Sequence, residues 1–176
     1  MEGRIRIRWA AGITLILAVC LAGCGYRFVS GGGLPDWVER LYIPVFENRT
    51  GESGIEVTFT NDLIYELTRN AVVRLTTDEA EADARIYGRI TSLRTDTLTH
   101  LGHQVALERR VKVDLEITIT DANGKTLWAD AGLTGEEAYP VDSRNKRVTE
   151  HNRRQAIDEI SSRIAEGIYH RLTGGY

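Results

Sequence analysis

Four histidines, two cysteines and one cluster of cations are the residues of this chain with chemistry to offer. His100 and His103 flank Leu101-Gly102, but no third ligand stands near them, and a zinc site takes at least three protein ligands. The pair reads as a polar turn. His151 and His170 fall toward the two ends of the last helical stretch, about five turns apart, too far to share an ion. No Gly-x-Ser-x-Gly elbow occurs, and the carboxylates are scattered over polar faces. The sequence therefore calls for no catalytic residue, no metal and no cofactor. The cations say more. Arg144, Lys146, Arg147, Arg153 and Arg154 fall within eleven residues, interspersed with Asn145, Glu150 and Asn152. Basic charge near a helix N-terminus opposes the helix dipole by about 0.3–1 kcal/mol per exposed group, so a purely structural role would favour Asp or Glu. Such a cluster suits phosphate, which arginine can grip through two oxygens at once. Arg109 is a second candidate. It interrupts an apolar strand face and must either snorkel or find an anion.

The cysteines place the chain. Arg4, Arg6 and Arg8 precede an apolar run over residues 9–22, the layout of a secretory signal. Fourteen residues are too few for a spanning helix, which needs about 20. Leu21-Ala22-Gly23-Cys24 then resembles the lipobox of bacterial lipoproteins. That resemblance implies cleavage before Cys24, with a diacylglycerol thioether and an N-acyl chain on Cys24. Gly25 follows, where enteric lipoproteins kept in the inner membrane carry Asp, and this implies the outer membrane. Removing residues 1–23, with their three Arg and one Glu, leaves 153 residues and takes the formal net charge from −3 to −5. That length suits one domain with a real core, and the charge excludes a nucleic-acid partner. Cys20 leaves with the signal and Cys24 is acylated, so no thiol remains for a disulfide even in an oxidising compartment.

The elements that position these residues follow from periodicity. Residues 24–36, with Gly31-Gly32-Gly33 and Pro35, read as a tether, and residues 37–176 as a single α+β domain. Residues 41–46 predict a short strand that Pro44 confines to an edge or an end. Ser53 and Glu56 fit a capping box. Ile55, Phe59, Leu63, Leu67 and Ala71 predict a helix over about residues 54–70. Residues 72–75 predict a short strand, and residues 84–98 alternate as a half-buried one. In residues 105–119 seven of eight odd positions are apolar, Arg109 being the exception, and the even positions are polar after Ala106. One face is core and the other wet. Asp121-Ala122-Asn123-Gly124-Lys125 turns the chain. A two-residue loop sets Ile119 opposite Trp128. A three-residue loop with Gly124 left-handed sets it opposite Leu127, pairs Ile117 with Ala129 and Leu115 with Ala131, and keeps the apolar faces together. The second register is the expectation. After polar residues 142–149, Ile157, Ile160, Ile164, Ile168 and Leu172 predict a last helix. The sum is a two-layer α+β sandwich, two helices on one face of a mostly antiparallel or mixed sheet of about four strands.

Cys24-Gly25-Tyr26-Arg27-Phe28, Ile43-Pro44-Val45-Phe46-Glu47-Asn48-Arg49-Thr50, Gly54-Ile55-Glu56-Val57 and Ala82-Asp83-Ala84, in that order, resemble the LptE family of lipopolysaccharide-assembly lipoproteins. The resemblance covers most of the chain after Cys24. It implies a protein anchored on the periplasmic side of the outer membrane, with a domain that plugs the lumen of the large β-barrel LptD and helps deliver lipopolysaccharide to the outer leaflet. It also implies direct lipopolysaccharide binding, for which Arg144, Lys146, Arg147 and Arg109 are the candidates, lipid A and core phosphates being the anions. Trp128, Tyr139 and the wet face of residues 105–118 are candidates for the barrel contact. The Asn48-Arg49-Thr50 segment also resembles lipoprotein activators of peptidoglycan synthases. Those carry long Pro-rich tethers, whereas the twelve residues between Cys24 and Trp37 reach only about 40 Å, which favours a partner in the same membrane.

Overall fold

The structure, a computed structural model, describes residues 33–70, 73–98 and 107–174. Its elements are β1 (Arg40–Tyr42), β2 (Glu47–Asn48), α1 (Ile55–Arg69), β3 (Arg74–Leu75), β4 (Ala84–Leu98), β5 (Glu108–Asp121), β6 (Thr126–Pro140) and α2 (Lys146–Thr173), with a 3₁₀ turn at Glu79–Glu81. The sheet runs β3-β1-β4-β5-β6, and β2 also pairs with β4. β1 is parallel to β3 and β4, β2 is parallel to β4, and β4, β5 and β6 form an antiparallel meander. The two-layer α+β fold is as expected, but with six strands rather than about four. β1 and β3 answer to the short strands expected near residues 41–46 and 72–75, and the unanticipated β2 is two residues long, too short to leave a period-2 pattern.

The core joins the odd face of β5 to the helix stripes. Val111, Val113, Leu115, Ile117 and Ile119 are all within 1 % of full burial. Against them lie Ile55, Phe59, Leu63 and Leu67 of α1, and Ile157, Ile160, Ile164, Ile168 and Leu172 of α2. The helices run parallel, since Glu52 meets Arg153 and Asp62 meets Ser162 at nearly constant separations of 101 and 100 residues. Both N-termini therefore lie at one end of the domain.

Two glycines let layers approach closely. A Cβ on Gly88 would fall 2.5 Å from three ring atoms of Phe46, and one on Gly135 would fall 2.5 Å from Ile160 Cγ2. Phe46 fills the gap over Gly88, 4 % exposed, and its N–H donates to Thr60 Oγ1 at 3.0 Å.

Three local expectations need correction. The capping box is only half formed. Gly54, at φ 93°, is the N-cap of α1 and Ser53 makes no cap. Glu56 still reaches back to the Gly54 N–H (3.1 Å) and also takes Asn48 Nδ2 (2.7 Å). Next, α2 begins at Lys146, within the stretch expected to be a polar lead-in, because Asn145 Oδ1 caps it by accepting from the Arg147 N–H (3.1 Å). Among residues 146–155 only Thr149 is fully buried, so no apolar stripe marks them.

The third is the hairpin register. The three-residue loop is present: the Gly124 N–H donates to the Asp121 carbonyl (3.0 Å), the Asp121 N–H to the Lys125 carbonyl (2.9 Å), and Gly124 has φ 80°. Yet Ile119 lies opposite Trp128, not Leu127, Ile117 opposite Asp130, and Leu115 opposite Leu133, because the register shifts once between Ile119 and Thr120 and again between Leu115 and Ile117. A bulge re-aims side chains. Here the first shift packs both Leu127 and Trp128 on the core, burying far more apolar area than the alanines of the unbulged register would. It also brings Asp130 to Arg171 of α2 as an ion pair.

Candidate functional site

At the end of the domain where both helices begin, the structure gathers most of the candidate cations. Arg109 lies opposite Tyr139 in the sheet, and the Val141 N–H donates to the Leu107 carbonyl (2.8 Å), tying the start of β5 to the loop that leads into α2. Asp142 stiffens that loop. Its Oδ1 accepts from the N–H groups of Arg144 (2.8 Å) and Asn145 (3.0 Å), while its own N–H donates to Thr149 Oγ1 (3.0 Å). Arg144, Lys146 and Arg147 stand exposed from this frame, as does Arg109. Among the described residues, none of these four side chains has an ion pair or a side-chain hydrogen bond. Arg109 neither snorkels nor meets an anion. The core face ends at Val111, and β5 overhangs it.

The other two arginines of the cluster separate from these. Arg153 is drawn to Glu52 Oε2 at 2.7 Å and is 15 % exposed, with Glu150 3.9 Å away. Its guanidinium holds Glu52 below the usual carboxylate range, chiefly through that hydrogen bond. The Glu52–Arg153 clamp joins the N-terminal ends of the two helices. Sequence reasoning missed it, because nothing in a chain marks a partner 101 residues away. Arg154 is exposed, its Nε donating to the Glu150 carbonyl at 3.4 Å. Two apolar side chains were also missed. Leu107 is 37 % and Val148 39 % exposed at this same end, so the cations are interleaved with apolar surface. Leu107 was visible as the apolar position beyond Arg109, and Val148 only as a residue off the stripe of α2.

The wet sheet face has a different character, since most of its charges are paired across strands. Arg89 reaches Glu47 (2.6 Å) and Glu116 (3.1 Å), Arg94 reaches Asp114 (2.8 Å), and Arg110 reaches Glu136 (3.2 Å). Thr134 Oγ1 adds a bond to Asp114 (3.0 Å). Lys112 is the one cation of β5's wet face with no partner among the described residues. Tyr139 and Trp128 are not part of this surface. Tyr139 is 3 % exposed, in the core, and Trp128 packs on the core opposite Ile119.

Cys24, His100 and His103 lie outside the described residues. His170 is 3.7 Å from Glu166 and His151 is exposed near the start of α2. Among the described residues there is no group of three or more His, Cys, Asp and Glu placed to hold a metal ion, and no helix long and apolar enough to cross a membrane.

A family model described as LptE, lipopolysaccharide-assembly, matches residues 38–172. No curated protein matches the chain. Among solved structures, the PelC dodecamer from Paraburkholderia phytofirmans is 13 % identical, with a TM-score of 0.51 over 82 % of this chain and 96 % of that one. At that identity the likeness speaks for the fold alone. A minor lipoprotein from Acinetobacter baumannii (19 % identity, TM-score 0.48, 79 % and 97 % covered) and the rare lipoprotein B from Shewanella oneidensis (13 %, 0.46, 74 % and 90 %) are also similar.

Proposed function

The chain belongs to the LptE lipopolysaccharide-assembly family, and on that premise we propose that it is a non-enzymatic outer-membrane lipoprotein, attached through Cys24 on the periplasmic face, that plugs the β-barrel LptD and binds lipopolysaccharide at its basic end. The observation that carries the binding reading is the set of four cations, Arg109, Arg144, Lys146 and Arg147, which have no side-chain partner among the described residues and stand beside exposed Leu107 and Val148. Lipopolysaccharide joins phosphates to acyl chains and asks for both kinds of surface. Cations with no intramolecular partner give up no ion pair on meeting phosphate, and charge-assisted bonds to it are among the stronger hydrogen bonds. The loop beneath them is already ordered by Asp142, so less conformational freedom is lost on binding.

The plug reading draws support from the wet face. A barrel lumen is polar, and a face most of whose charges are already paired can lie against such a wall with few charges left stranded. The deciding experiment replaces Arg144, Lys146 and Arg147 together with Ser, checks the fold by circular dichroism, and measures binding of purified lipopolysaccharide at low salt, where such contacts are least screened. Affinity should fall at least tenfold. Unchanged affinity removes the cluster from the site. Photocrosslinkers at Arg110 and Lys112 should capture LptD in intact cells, and capture at neither position, nor anywhere else on the wet face, would assign the barrel contact to another surface.

A further inference from the structure

Trp37 is the most exposed tryptophan of the described residues, at 54 %, and it is not on a loose segment. The Leu34 N–H donates to the Leu172 carbonyl (2.8 Å), the Val38 N–H to the Pro35 carbonyl (2.9 Å), and the Arg74 N–H to the Glu39 carbonyl (2.9 Å). Asp36 and Trp37 are thus the outer corner of a tight turn pinned on both sides, with Val38 buried directly behind it. A large apolar side chain held rigidly in water costs free energy that a smaller residue would spare. Open grooves flank the turn, where Leu34, Val38, Val73, Leu75 and Leu172 lie among polar residues such as Glu39 and Arg74. Tyr65, 57 % exposed, stands near the C-terminal end of α1, toward the same end of the domain.

This end lies opposite the basic one. Leu34 meets α2 at Leu172, near the last of its 28 residues, and the cations sit around its first. At 1.5 Å per residue the two ends are about 40 Å apart. The aromatic end is also where the chain arrives from Cys24. Eight residues lie between Cys24 and Gly33. Fully extended, the nine steps from Cys24 to Gly33 span at most about 30 Å.

We propose that, before the domain meets its barrel, Trp37 is a second membrane contact: the turn at Asp36 and Trp37 seats in the headgroup region of the leaflet that holds the Cys24 lipid, so that the barrel-free domain stands on this end with the basic end held away from that leaflet. The proposal rests on the lipid attachment given under the proposed function. Tryptophan and tyrosine favour the membrane–water interface, where an apolar ring and a polar edge are both accommodated. The charges beside Trp37 do not make an electrostatic dock. Asp36 and Glu39 are exposed carboxylates, and the exposed Arg74 is the nearby cation without a side-chain partner among the described residues. The contact is therefore apolar, indifferent to lipid charge and to salt.

The test uses the full-length acylated protein in phosphatidylcholine vesicles whose acyl chains are brominated close to the headgroup. In a Trp128→Phe background, Trp37 emission should shift to the blue and fall by at least a third relative to unbrominated vesicles, in low and in high salt alike. In a Trp37→Phe background, Trp128 emission should be the same in both vesicle types. Flotation run in parallel separates the two ideas. Protein that floats while Trp37 emission is the same in both vesicle types overturns the contact and leaves the anchor standing. Protein that does not float overturns both. Quenching that disappears in high salt overturns the apolar mode of contact.

Discussion

The contact between Phe46 and Gly88 yields a sign reversal that few other packing accounts would produce. A methyl group on Gly88 would sit 2.5 Å from three carbons of the Phe46 ring. Ordinary carbon contacts lie at about 3.5–4.0 Å, so the ring must retreat by about 1 Å. It has little room, since it is 4 % exposed and its backbone N–H is fixed to Thr60 Oγ1. Overpacking of this kind costs about 1–3 kcal/mol, and Gly88→Ala should lose that much. Phe46→Ala should lose about 3–5 kcal/mol through the cavity it opens. With the ring gone, the three atoms nearest the methyl go with it. Gly88 is in a strand interior at no positive φ, where alanine is favoured over glycine by about 0.5–1 kcal/mol. Gly88→Ala should therefore destabilise the native protein and stabilise the Phe46→Ala variant, a coupling of about 1.5–4 kcal/mol. Urea unfolding followed by circular dichroism measures all four corners of the cycle. Additivity within about 0.5 kcal/mol would refute the reasoning, because the cost of the methyl would then not come from the ring.

Further outcomes follow from other contacts. Gly124→Val should cost about 1 kcal/mol or more, since φ is 80° there and a β-branched residue is penalised; nothing crowds the site, so Gly124→Asn should cost less, and equal losses would point away from the backbone. Glu52, Glu47, Glu56 and Asp83 are all held below their ordinary values by hydrogen bonds from cations or backbone. A depressed folded value contributes stability that is present above the unfolded value, about pH 4, and lost as pH falls through the folded one. The urea midpoint should therefore drop from pH 5 to pH 3, and less steeply in Glu52→Gln; identical slopes would take the clamp out of the acid response. Asp158 works the other way, because burial and Asp62 raise it, so Asp158→Asn should gain stability at neutral pH in the same assay. Cys24→Ala should abolish lipid attachment, and mass spectrometry finding an unmodified Cys24 in the processed native protein would refute the anchor.

The helices and the long strands were legible because one repeated contact made each. Ile157, Ile160, Ile164, Ile168 and Leu172 face a single surface, and so do the odd residues of β5, so the period survives in the sequence. The extent of α2 was not legible, because residues 146–155 bury only Thr149, and the one signal was Asn145 as an N-cap. The hairpin shows a different limit. Its loop chemistry was readable from Asn123-Gly124, but the register beyond it depends on Trp128 outcompeting small neighbours for the core and on Asp130 finding Arg171, a residue 41 positions away. The basic cluster was visible as composition. Its division into an inner Arg153, spent on Glu52, and an outer set left free required the fold.

β6 is an edge strand of fifteen residues with no partner on its outer side among the described residues. A straight edge of that length is a template on which other copies could add. The two register shifts bend and twist it, and Glu136, Glu137 and Pro140 occupy its far end. An incoming strand finds only short stretches in phase. The same bulges that pack Trp128 on the core thus serve as a safeguard against polymerisation of one copy on the edge of the next.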